Sequence, residues 1–126
     1  MRSAAMPTDP VLVTYNGKSF DLPLLHTRYR MNRRCEPFGD ALHLDLLHPV
    51  RRQYRHIWPN CRLITVEERL LDHTRVDDLP GSEAPAAWRS FLSSGATGLL
   101  RRVLDHNARD LVSLVQVLGR LCAGTT

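Results

Sequence analysis

Cysteine is scarce in this chain and poorly placed for its usual structural roles. Cys35, Cys61 and Cys122 are odd in number and widely spaced. No Cys-x-x-Cys or His-x-x-x-His pattern frames a zinc site, and no even set suggests a disulfide framework. Reduced and mostly buried thiols in a cytosolic protein are expected. Long apolar runs are also missing, so no membrane-spanning helix is expected. The opening MRSAAMPTDP has one arginine and no apolar stretch of signal-peptide type. Residues 1–10 read as a flexible leader and the protein as cytoplasmic. Repeats and low-complexity tracts are absent. Aromatic residues make up only 6% of the chain, and Trp58 and Trp88 read as core or edge packing rather than base-stacking platforms.

Lysine is nearly missing too. Lys18 is the single one, so the net charge of +4 is carried by arginine. The arginines cluster in RYRMNRR (28–34), RRQYR (51–55) and the Arg101-Arg102 pair. A guanidinium fork matches phosphate geometry, so these clusters suit nucleic acid; a solvated helix face is the plainer reading. The 126 residues, 43% of them hydrophobic, suit one domain over residues 11–126.

Residues 11–15, VLVTY, are apolar and β-branched, as in a strand covered on both faces of a parallel sheet. Asn16-Gly17 ends it with a turn signal. Asp21 stands where a helix N-cap belongs, and Pro23 suits a first turn. Leu24, Leu25 and Tyr29 would face inward from that helix, with its arginines outward. ALHLDLL (41–47) reads as a second strand around Asp45. Pro49 opens a helix that Pro59 stops, and 65–71 is a short helix with Thr65 as cap and Glu67 and Glu68 in its first turn. VDDLPGSEAP (76–85) is a loop, and Asp77-Asp78 within it a turn. AWRSFL is helical up to Gly95. The last helix runs from Thr97 to about Cys122 on a stripe that includes Leu100, Val103, Leu104, Leu111, Leu114, Val115 and Leu118, with a kink or break at His106-Asn107. The chain is therefore α/β, with two strands and several helices.

From spacing alone, Asp21 is either an N-cap or a carboxylate at the mouth of a strand, where open parallel sheets bind ligands. His106 and Asp110 share one helix face at i, i+4. They form either a site or a helix break with a surface acid.

Five blocks in order, TYNGKSFDLPLL, HLDLLHPVRR, CRLITVEERLL, DDLPGSEAPAAW and LRRVLDHNARDLVSL, resemble the YprB-type ribonuclease H-like domain of the DnaQ-like exonuclease group over residues 11–121. The resemblance implies a 3′–5′ exonuclease that hydrolyses nucleic acid with two Mg²⁺ or Mn²⁺ ions, held by four acidic residues and assisted by a Tyr or His. NGKSFD resembles the second motif, making Asp21 a metal ligand and catalytic residue. Asn16, Gly17 and Lys18 then approach the substrate. HNARD resembles the third motif, making Asp110 a metal ligand, His106 the group that orients or deprotonates water, and Asn107 a substrate contact. Asp45 and Glu67 match further acidic positions. The first motif, an Asp-x-Glu on an earlier strand, has no counterpart here, since Asp9 is the only acid before Val11. The reading is therefore the C-terminal portion of a ribonuclease H-like fold, with the N-terminal strands and two acidic ligands lacking. The expected activity is weak in this chain alone. The alternatives are a non-catalytic nucleic-acid-binding remnant, or half of a split domain completed by a chain that supplies the missing strands.

Overall fold

The computed structural model describes residues 10–124. Eight elements follow one another: β1 Val11–Thr14, α1 Asp21–Met31, β2 Leu42–Asp45, α2 Leu47–Tyr54, α3 Leu63–Leu70, a 3₁₀ turn Gly81–Glu83, α4 Ala84–Ser94 and α5 Gly98–Ala123. They divide into two compact units, Met1–Cys61 and Arg62–Thr126. The leader expected at 1–10 lies outside the described residues apart from Pro10.

In the first unit β1 and β2 form a two-stranded parallel sheet with Val11 opposite Leu42 and Thr14 opposite Asp45. Parallel neighbours need a crossover, and α1 supplies it. The sheet is less covered than the apolar run predicted. Val11 is 56% and Leu42 74% exposed, because strand side chains project from the faces of the sheet and are buried only where another element covers that face. α1 corrects a second expectation. Leu24 and Leu25 are exposed and the helix has no buried residue. Its first-turn Asp21 is itself helical and exposed, and Phe20 is the N-cap. The buried core of this unit is Leu46, Leu47 and Val50, where β2 passes into α2. α2 begins two residues before Pro49. A proline in the first turn has no intrahelical N–H to lose.

In the second unit the core is Val66, Leu79, Ala87, Leu114 and Val117. α4 stops at Gly95, which holds φ 71°, the left-handed conformation glycine adopts without a Cβ penalty. α5 is continuous through His106 and Asn107. The expected break is absent because both residues have only mildly unfavourable helix propensity, and the His106 side chain finds polar partners. Leu100, Val103, Leu114 and Leu118 of the stripe turn inward, while Leu104, Leu111 and Val115 are exposed. In α3 the cap is Arg62, not Thr65, and Glu67 lies beyond the first turn and is fully buried. The thiols are not mostly buried: Cys35 and Cys122 are exposed and Cys61 is half-buried. Trp58 stacks on Tyr54 at 4.0 Å, and Trp88 packs beside Phe91. Among the described residues, no helix is long and apolar enough to cross a membrane.

Candidate functional site

In the first unit the polar centre is the carboxyl end of the sheet. Asp45 closes β2 and is 3% exposed. Its Oδ1 accepts the backbone N–H of Asn16 at 2.7 Å and of Leu47 at 3.1 Å, and its Oδ2 that of Lys18 at 3.2 Å. Burial pushes this carboxyl up, but the three N–H donors outweigh it and hold it below the ordinary carboxylate range. Asp45 thus fastens the turn after β1 to the start of α2. Asn16 has φ 63°, which asparagine tolerates better than most residues. Gly17 is needed for space: a Cβ there would meet the Thr14 side chain at 2.5 Å. The Gly17 carbonyl accepts the Leu22 N–H at 2.9 Å and so leads into α1. The backbone N–H groups of Asn16 and Lys18 are directed at Asp45. The Tyr15 hydroxyl donates to the Cys61 carbonyl, and burial raises its pKa well above the usual tyrosine value.

The second unit holds the denser cluster. α5 presents His106 and Asp110 on its inner face, and α3 presents Glu67. The loop after α3 brings Arg75 among them, with its side chain only 4% exposed. Its Nη2 donates to Glu67 Oε1 and, at 2.5 Å, to Asp110 Oδ1; its Nε donates to Glu67 Oε2 at 2.7 Å. Its Nη1 reaches Asp78 Oδ2 at 3.2 Å. Asp78 also takes His106 Nδ1 at 2.9 Å, and Arg109 stands 3.7 Å from its other oxygen. His106 Nε2 is 3.4 Å from Asp110 Oδ2. Hydrogen bonding to Glu67 outweighs burial and raises the Arg75 pKa above its already high ordinary value. Burial pushes Asp78 up, but His106 and Arg75 hold it below the carboxylate range.

The sequence-predicted residues thus fall into two groups. His106, Asp110 and Glu67 meet in the second unit, while Asn16, Gly17, Lys18 and Asp45 meet in the first. Asp21 belongs to the first unit as an exposed helix start, and Asn107 is exposed on α5. Two members of the α3–α5 cluster were not foreseen. Arg75 lies outside every arginine cluster, and Asp78 reads as a turn residue. The one available signal was a histidine and an aspartate at inward positions of the α5 stripe, which call for buried partners.

Carboxylates are the right donors for Mg²⁺ or Mn²⁺. Asp21 is exposed, and the Asp110 side chain retains 32% exposure. Among the described residues, no group of three or more His, Cys, Asp or Glu is arranged to hold an ion. Glu67 is sealed against Arg75, and both Asp45 oxygens are taken by backbone donors.

A parallel βαβ unit followed by helices makes the chain α/β, which is consistent with a ribonuclease H-like fold. The chain belongs to the RNase H superfamily, whose family model matches residues 2–122. It is similar to the uncharacterized protein YprB of Bacillus subtilis (strain 168), at 40% identity over 107 residues covering 84% of this chain and 26% of that protein. The chain therefore spans about a quarter of the length of the curated relative it matches. No solved structure matches it.

Proposed function

We propose that this chain is part of a nuclease domain that hydrolyses phosphodiester bonds of nucleic acid, of the 3′–5′ exonuclease type. The observation that carries it is the His106–Asp110 pair, side by side and partly open on α5 of a chain in the RNase H superfamily. The single domain over residues 11–126 is part of the same reading. Asp110 and Asp21 are each proposed as metal carboxylates for Mg²⁺ or Mn²⁺. When bound, such an ion supplies charge compensation at the phosphate and a more acidic water.

The remaining chemistry falls to the protein's own residues. His106 Nδ1 lies 2.9 Å from Asp78, and an ionised carboxylate only accepts, so in this reading Nδ1 carries the ring proton and the contact fixes the ring. Nε2 is then the nitrogen available to accept a proton from an attacking water, as a general base does. Asp78 and Arg75 position this pair without touching substrate. Lys18, exposed at the strand mouth, and Asn107, exposed on α5, are proposed substrate contacts. No sequence preference is expected, because phosphate contacts place a strand without reading its bases.

One observation favours a second reading. Arg75 already pairs with Asp110 and Glu67, and this suits a nucleic-acid-binding remnant, or a half-domain completed by another chain. A 5′-labelled single-stranded oligonucleotide with Mn²⁺ separates the readings. Slow shortening from the 3′ end, lost in Asp110→Asn and in Asp21→Asn, is the result expected for the nuclease. Binding with no shortening in the unaltered chain would leave the second reading.

A further inference from the structure

α2 has two faces of opposite character. Leu47 and Val50 are buried. His48, Arg51, Arg52 and Arg55 recur at helical spacing on the exposed side, and His56 follows directly. These five side chains alone line a hollow of about 680 Å³, and none of them is a carboxylate. Arg55 Nε donates to the His56 ring at 3.1 Å, which orders the far end. At the near end His48 Nε2 is 3.9 Å from Asp45 Oδ2, so the hollow starts at the carboxyl end of the sheet. From His48 to Arg55 it follows the helix for roughly 10 Å.

We propose that this face of α2 is a phosphate-binding track for a nucleic-acid strand, leading along Arg55, Arg52 and Arg51 to the strand mouth at Asp45. Arg51 and Arg52 on α2 and Arg55 at its C-cap present three guanidinium forks suited to successive phosphates, each fork able to donate two hydrogen bonds. A buried opposite face keeps the helix from turning its arginines away. Contacts to phosphate alone hold a strand irrespective of its sequence. It rests on nucleic acid being the ligand, as proposed above, but it is separate from the α5 cluster and does no chemistry.

Equilibrium binding of a fluorescent oligothymidylate, read by anisotropy across a salt series without divalent metal, tests the track apart from hydrolysis. Arg51→Gln/Arg52→Gln/Arg55→Gln is expected to raise Kd and to lower the slope of log Kd against log salt by about 2. Arg89→Gln/Arg120→Gln, which removes charge from α4 and α5 at exposed positions outside the arginine clusters, is expected to leave Kd within a factor of about two of the unaltered chain. All three α2 arginines are exposed, so the triple variant should keep its melting midpoint. An equal loss in the Arg89/Arg120 variant would mean bulk charge and overturn the track. An unchanged slope in the triple variant would overturn it as well. So would tighter, arginine-dependent binding to phosphatidylserine vesicles than to the oligonucleotide. Loss of hydrolysis with this binding pattern intact would instead count only against the nuclease reading.

Discussion

Asp45 has a side chain only 1% exposed that accepts three backbone N–H groups. Its role is to close the turn that leaves β1, and two predictions belong here. Gly17→Ala drives a methyl into the branched Thr14 side chain and should cost about 1–3 kcal/mol, read by chemical denaturation. The second concerns acid. Asp45 and Asp78 both have folded-state pKa values below their ordinary value. Their contribution is therefore complete above the unfolded-state value of about 3.9 and is lost as pH falls through the lower folded value. The melting midpoint should drop below about pH 4, and Asp45→Asn should flatten that drop in part, with Asp78 supplying the rest. The turn was legible in Asn16-Gly17, a local signal. The partner of its N–H groups was not, since Asp45 lies 29 residues from Asn16 and only strand pairing brings them together.

At the scale of elements, α3 and α5 are joined through charge as well as apolar packing. Glu67 is fully buried, and Arg75 is its counter-ion. Arg75→Met should cost about 3–5 kcal/mol by leaving a buried carboxylate unpaired. Adding Glu67→Gln and Asp110→Asn should recover part of that loss, because the penalty comes from the unmatched charge. Equilibrium unfolding of the single and triple variants checks both statements. The stripe of α5 and the stop at Gly95 were legible because helix periodicity and a left-handed cap are written locally. The inward reading of Leu24 and Leu25 failed for a related reason. Spacing shows that a helix has an apolar side, but not whether another element covers it. Glu67 looked like a first-turn acid because its partner sits in a loop eight residues on.

At the scale of the whole molecule, the family was legible from five ordered blocks, and the match over residues 2–122 bears it out. The α/β class was legible as well, from one β-rich run, one alternating run and the helical stripes around them. The cluster around Arg75 was not, because a loop arginine carries no periodic signal. Whether Asp110 serves chemistry or only the ion-pair network is the central question. The most direct test is the melting midpoint of the purified chain with and without millimolar Mn²⁺, alongside Asp110→Asn. A ligand that binds only the folded state raises the midpoint by mass action. The expected result is a small Mn²⁺-dependent rise that Asp110→Asn removes, small because Arg75 competes for the same carboxylate. No rise in the unaltered chain, or an equal rise in Asp110→Asn, would contradict a metal-binding role for Asp110 and leave Arg75 as its functional partner.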